Sequence, residues 1–263
     1  MRNDTTVAID QAKRVFQVAV MDADGVIQAE RRVGRERLAR VVEQWPGATV
    51  ALEACGGAHH WARVFQAAGH PVRLLPAHAV AAYATPGRKD DRRDAAAIAE
   101  AANRPRVRAI PVKTQAQQEV QSQQRMLRLL TRQRTQTINA VRGLLAEYGI
   151  VLPQGASAFQ RRYAELADTP AWQALSAELR AQFDAMCDHV RDLDTRIAAA
   201  KARLRAAVAA DADARRLTGV PGVGPTIAAA TRAAIGDGGQ FQTGRGFAAW
   251  LGLTPRLHAS GTQ

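Results

Sequence analysis

A chain of 263 residues that is 47% hydrophobic and 23% charged carries enough apolar material for a sizeable core, which excludes disordered and fibrous classes. Lys and Arg number 36 against 24 acids, giving a formal charge of +12 and an isoelectric point near 11.0. The basic residues are nearly all Arg, whose forks match phosphate oxygens, so the charge points to a nucleic acid partner.

Cys55 and Cys187 lie far apart, which leaves neither a disulfide framework nor a CxxC metal site, and both are expected to stay reduced. Met1 to Thr5 lacks the apolar core of a signal peptide, and no apolar run is long enough to cross a bilayer. The expectation is a cytoplasmic protein without a membrane partner.

In chain order, strand-like runs cover Thr6 to Asp10, Val15 to Met21, Val26 to Val33, Thr49 to Glu53 and Val72 to Leu75. Helical patterns fit Glu36 to Gln44, Ala58 to Ala68 and Asp91 to Ala102. Three strands followed by alternating helix and strand is the order of an RNase H-like layered sheet, and a domain over 1–112 is expected. From Thr114 to Tyr148 a Gln- and Arg-rich helix carries Val120, Leu127, Leu130, Thr137, Val141, Leu144 and Tyr148 in a/d spacing. A second long helix carries Leu175, Leu179, Phe183, Met186, Val190, Leu193, Ile197 and Leu204. The pair predicts an antiparallel coiled-coil arm over 113–210, with Arg128, Arg132, Arg134 and Arg142 mostly on a solvated face and phosphate contact as the second reading.

The segment 211–263 begins with Leu217-Thr218-Gly219-Val220-Pro221-Gly222-Val223-Gly224-Pro225 and a small-residue helix, Thr226 to Ile235. This is a helix-hairpin-helix signature. Its glycines let a nucleic acid backbone approach the amides of a helix N-terminus, or in the plainer reading only form a tight turn.

Four carboxylates carry the chemistry. Asp10 and Glu53 each close a strand-like run, while Asp91 and Asp94 stand three residues apart on one helix face. Hard divalent cations take such oxygens, and two Mg²⁺ roughly 3.5 to 4 Å apart stabilise the attacking and leaving oxygens of a phosphate displacement. His59, His60, His70 and His78 lack zinc-site spacing and read as surface or supporting residues.

These residues resemble the insertion-sequence transposases of the IS one-ten type, in which a RuvC-like DEDD domain precedes a C-terminal transposase domain. The resemblance rests on Ala8-Ile9-Asp10-Gln11-Ala12-Lys13, Leu52-Glu53-Ala54-Cys55-Gly56, Lys89-Asp90-Asp91-Arg92-Arg93-Asp94-Ala95, Pro221-Gly222-Val223-Gly224-Pro225 and Ala249-Trp250-Leu251-Gly252-Leu253-Thr254-Pro255-Arg256. It implies that Asp10, Glu53, Asp91 and Asp94 bind Mg²⁺, with Asp91 preferred over the neighbouring Asp90. It also implies a serine nucleophile in a Ser-Gly motif, here Ser260-Gly261, with Ala259 where a second serine is common. Nucleic acid contacts are expected from Lys13, Lys89, Gly222, Val223, Gly224 and Arg256. The implied partners are element-end and target DNA, a structured guide RNA and further copies of the chain as a dimer or tetramer, in a bacterial, nucleoid-associated setting. Relatives continue past the serine, whereas this sequence ends at Gln263, so a truncated copy is expected. The residues leave two other readings open: a Holliday-junction nuclease in which metal-activated water attacks, and an inactive DNA-binding remnant.

Overall fold

The computed structural model describes residues 5–84, 91–236 and 238–253, with the side chains of Asp91 and Arg92 outside that description. Two compact units emerge, 1–114 with 235–263, and 115–234.

The first unit is built on strands β1 (Thr6–Gln11), β2 (Val15–Met21), β3 (Ile27–Gly34), β4 (Thr49–Glu53) and β5 (Val72–Leu75). A 3₁₀ turn at Arg35–Arg37 leads into helix α1 (Leu38–Val42), and α2 (Ala58–Ala67), α3 (Ala77–Ala81) and α4 (Asp91–Ala102) follow in the strand connections and after β5. The sheet order is β3-β2-β1-β4-β5, with β1 antiparallel to β2, β2 antiparallel to β3, and β1, β4 and β5 parallel. A mixed α/β unit with this five-stranded sheet is consistent with an RNase H-like core.

Alternation along β1 divides its side chains between two cores. Val7 and Ile9 join Phe16, Leu52, Trp61 and Phe65 on the side covered by α1 and α2. Ala8 and Ala51 face the other way and meet Ile98, Ala99, Ala101 and Ala102 of α4. Alanine opposite alanine lets the helix lie close to the sheet. The edge strand β3 exposes Glu30, Arg31 and Arg32, charges that discourage pairing with another strand.

Polar contacts fix the direction of α4. Thr6 Oγ1 donates to Asn103 Oδ1 at 2.9 Å, just past the helix end, and Asn103 Nδ2 donates to Met21 Sδ at 3.1 Å. Arg73, on β5, donates to the carbonyls of Ala102 and of Val107, the latter at 2.6 Å. The C-terminus of α4 is therefore tied to the beginnings of the parallel strands, and its N-terminus lies over their ends.

The second unit holds α5 (Gln115–Ala146), α6 (Ala156–Ala164), α7 (Pro170–Gln173), α8 (Ala177–Ala210), α9 (Ala212–Thr218) and α10 (Pro225–Ile235), the last ending at the unit boundary, while α11 (Gly244–Trp250) belongs to the first unit. α8 is capped by Ser176, whose hydroxyl accepts from the Leu179 amide. α5 and α8 run antiparallel: Leu127 shares a core with Ile197 and Leu204, whereas Ile138 and Val141 share one with Cys187 and Val190. Between them Asp194 accepts from Arg134 and from Gln160, each at 2.6 Å. The α5 seam differs from the heptad reading, because Ile138 and Leu145 are buried while Leu144 and Tyr148 are exposed. A rigid 3.5-residue count drifts from the true helical period, and α6 and α7 draw the stripe round toward Phe159 and Trp172.

Ile98 is fully buried where α4 crosses the sheet. Ile98→Ala should lower unfolding free energy by about 2–5 kcal/mol in urea denaturation, the range for truncating a buried aliphatic side chain.

Candidate active site

Backbone register brings three of the four predicted carboxylates to one side of the sheet. Ile9 pairs with Leu52 across the parallel β1–β4 ladder, so Asp10 and Glu53 follow as neighbours at the strand ends. Both lie an even number of residues from Ala8 and Ala51, on the face that α4 covers. On α4, Asp94 precedes the fully buried Ile98 by one helical turn and shares its stripe. The Thr6 to Asn103 contact then sets the level: Thr6 to Asp10 along the strand and Asn103 back to Asp94 along the helix each advance about 13 Å. Asp94 is thereby carried toward the end of the sheet at which Asp10 lies.

Asp91 begins α4 and lies three residues before Asp94, with its side chain outside the described residues. Lys89, Asp90, Arg256 and Ser260 also lie outside them. Lys13 is exposed in the turn between β1 and β2. In the second unit Gly222 and Gly224 are exposed between α9 and α10, while Val223 packs against the core that holds Leu204 and Ala228. Gly222 has φ +84°, which a residue with a Cβ adopts only under strain. Val223 is thus a structural anchor of the turn, leaving backbone amides and glycines on the outside.

Electrostatics give a second sign that Asp10 and Glu53 converge. The Cys55 thiol is pushed above its ordinary range, first by partial burial and then by the negative charges of Glu53 and Asp10. The histidines near Glu53 serve the scaffold. His59 is lowered to about 4 by burial and by the charges of Lys113 and Arg63, and its Nδ1 accepts from the Lys113 amide at 3.1 Å. Neutral at physiological pH, it adds no cation to the site. His70 is buried with Nδ1 3.1 Å from the Ala48 carbonyl oxygen.

Among the described residues, no group of three or more His, Cys, Asp or Glu side chains is gathered to hold a metal ion. Mg²⁺ does not demand one. It retains several waters and is commonly held by one or two carboxylates together with substrate phosphates. Hard oxygens from adjacent strands fit that preference, and their mutual repulsion falls when a divalent cation enters.

Sequence patterns did not single out Thr6, Arg73 and Asn103, which orient α4. Only the position of Thr6 on the Asp10 face of β1 hinted at such a role.

Asp10→Asn and Glu53→Gln should each lower the pH midpoint of Cys55 alkylation in metal-free buffer, because removing a neighbouring negative charge favours the thiolate. Mass spectrometry of the Cys55 peptide after timed iodoacetamide treatment reads this directly. An unchanged midpoint in both variants would mean that the carboxylates do not face the same thiol.

A family of DEDD type described as "Transposase" matches residues 7–150, and the "Transposase IS116/IS110/IS902 family" matches residues 214–263. A "Probable family 20 transposase" of Pseudomonas aeruginosa is 41% identical over 99% of this chain and 77% of its own length. The "Transposase for insertion sequence element IS1111A" of Coxiella burnetii is 36% identical over 100% of this chain and 72% of its own length. A "Transposase for insertion sequence element IS1328" of Yersinia enterocolitica is 31% identical over 99% of this chain and 77% of its own length. With a family match over more than half its residues and relatives aligned almost end to end, the chain belongs to the IS110 family of transposases.

Proposed function

We propose that this chain cleaves and rejoins DNA at the ends of an insertion sequence, using a carboxylate site at Asp10, Glu53, Asp91 and Asp94 and a serine nucleophile, Ser260. The observation that carries the reading is the parallel β1–β4 register, which delivers Asp10 and Glu53 side by side on the face that receives Asp94. Family membership supports DNA as the substrate, as does the formal charge of +12.

The carboxylates would hold Mg²⁺, which when bound supplies positive charge that offsets the charge developing on a scissile phosphate. In the covalent step the Ser260 hydroxyl oxygen bonds to phosphorus as the phosphorus–oxygen bond to the DNA leaving group breaks. The serine proton is lost and the leaving oxygen is released as a hydroxyl. Attack by a DNA hydroxyl on the phosphoserine reverses these bonds, so rejoining needs no nucleotide cofactor. The antiparallel pair α5 and α8 acts as a coiled-coil arm through which copies associate as a dimer or tetramer. The α9–α10 turn acts as a helix-hairpin-helix that holds the DNA backbone through Gly222 and Gly224, aided by Lys13, Lys89 and Arg256. A structured guide RNA supplies target choice by base pairing.

Incubating the protein with end-labelled element DNA and Mg²⁺ should give a covalent protein–DNA band on a denaturing gel. Ser260→Ala should abolish the band, and Asp10→Asn or Glu53→Gln should reduce it by roughly a hundredfold or more, as loss of a charge-stabilising group does. Retention of the adduct in Ser260→Ala removes the serine from its role. Nicking that persists in that variant without any adduct favours metal-dependent hydrolysis.

A further inference from the structure

One residue beyond Asp10, and on the opposite face of the sheet, a pocket of about 300 Å³ opens between the β1–β2 turn and the start of α2. Gln11, Lys13, Arg35, Cys55, Gly57 and Trp61 are among its lining. Its unusual feature is a surplus of donors. Trp61 is 7% exposed, and its indole Nε1 is enclosed without a hydrogen-bond partner. Gln11 Nε2 is likewise enclosed and unpartnered. An indole N–H can only donate, and leaving such groups buried and unmet costs free energy that a protein rarely tolerates without a reason.

The surrounding charges have the matching sign. Lys13 and Arg35 are both exposed at the rim, and neither makes an ion pair with a described residue. The Arg35 guanidinium lies over the Trp61 ring, 5.2 Å from its centroid, which holds it at the mouth. Beneath it, Gly57 is the N-cap of α2, with φ +95° and no side-chain cap, and the Ala58 and His60 amides are met by the Cys55 and Gly57 carbonyls, so the donors left over at this end are side-chain ones. Every unmet group here is a donor, and the charged ones are positive. The occupant must bring acceptor oxygens and negative charge.

We infer that this pocket binds a non-bridging phosphate oxygen of a nucleic acid strand. Trp61 Nε1 and Gln11 Nε2 donate to the oxygen, while Lys13 and Arg35 neutralise it. The donors recognise the backbone and not the bases, so the contact fixes the position of a strand without reading its sequence. The inference rests on the proposed function for its choice of nucleic acid over free phosphate.

The test follows the Trp61 indole itself. The full chain has 4 tryptophans, so indole-¹⁵N labelling gives four N–H signals, and Trp61→Phe assigns one while retaining a ring against Phe16 and Phe65. The protein is titrated in chelator with a short single-stranded oligodeoxynucleotide, an abasic sugar–phosphate strand of equal length, and inorganic phosphate. The Trp61 signal should move with both strands alike and less with inorganic phosphate. Trp61→Phe and Arg35→Gln should each weaken strand binding by roughly threefold to tenfold, the range for one hydrogen bond or charge contact. Arg35 is exposed, so its variant removes a rim charge and leaves the buried side chains of the pocket in place. A Trp61 signal that stays still while the oligonucleotide binds overturns the inference, as does a response to base-bearing strands alone. A response to phosphate equal to that of the strands assigns the pocket to the free anion and overturns the nucleic acid part. Because chelator silences metal chemistry, failure of the covalent adduct leaves this readout intact, and the reverse also holds.

Discussion

Everything proposed for the first unit depends on how closely α4 lies against the parallel strands. A helix that must present Asp94 to acids on a sheet cannot be held off by bulky side chains, and Ala8, Ala51, Ala99 and Ala101 leave almost nothing between the two backbones. Ile98, fully buried, shares this seam with Met21 and Leu75 of the sheet. Thr6, Asn103 and Arg73 then set the sliding position, because a helix on an alanine surface has little else to stop it moving along its axis. Packing fixes the separation and polar contacts fix the level.

The same strands serve two surfaces. Alternate residues of β1 place Asp10 toward α4 and Gln11 toward α2, so one strand end contributes a carboxylate to one face and a donor to the other. The antiparallel β1–β2 turn adds Lys13 beside Gln11, and the segment after β3 adds Arg35. Cys55, which lines the pocket, also feels the charges of Glu53 and Asp10, so the two surfaces meet at this end of the sheet.

Much of this was legible in the sequence, and the reasons differ by element. Strands β2, β4 and β5 and helix α4 match their expected bounds because each couples an uninterrupted periodic pattern to clear breaks at both ends. Helices α3, α6, α7, α9 and α11 were not anticipated; each is nine residues or fewer, too short for a 3.6-residue repeat to stand out from a loop. In α5 the spacing pointed to Leu144 and Tyr148, whereas burial favours Ile138 and Leu145, since the facing helices decide which stripe turns inward. The carboxylates could be named from their places at strand ends and on a helix face. The pocket around Trp61 could not, because an unmet indole N–H is a property of enclosure and leaves no mark on spacing.

The central claim is that Asp10, Glu53 and Asp94 serve one cation, and the most direct measurement is Mn²⁺ binding to the full chain followed by electron paramagnetic resonance of the free ion. The account predicts that Asp10→Asn, Glu53→Gln and Asp94→Asn each weaken the same binding event, and that any pair together weakens it less than the two separate effects would sum to. Mn²⁺ affinity unchanged in all three variants, or independent losses that simply add, would contradict it.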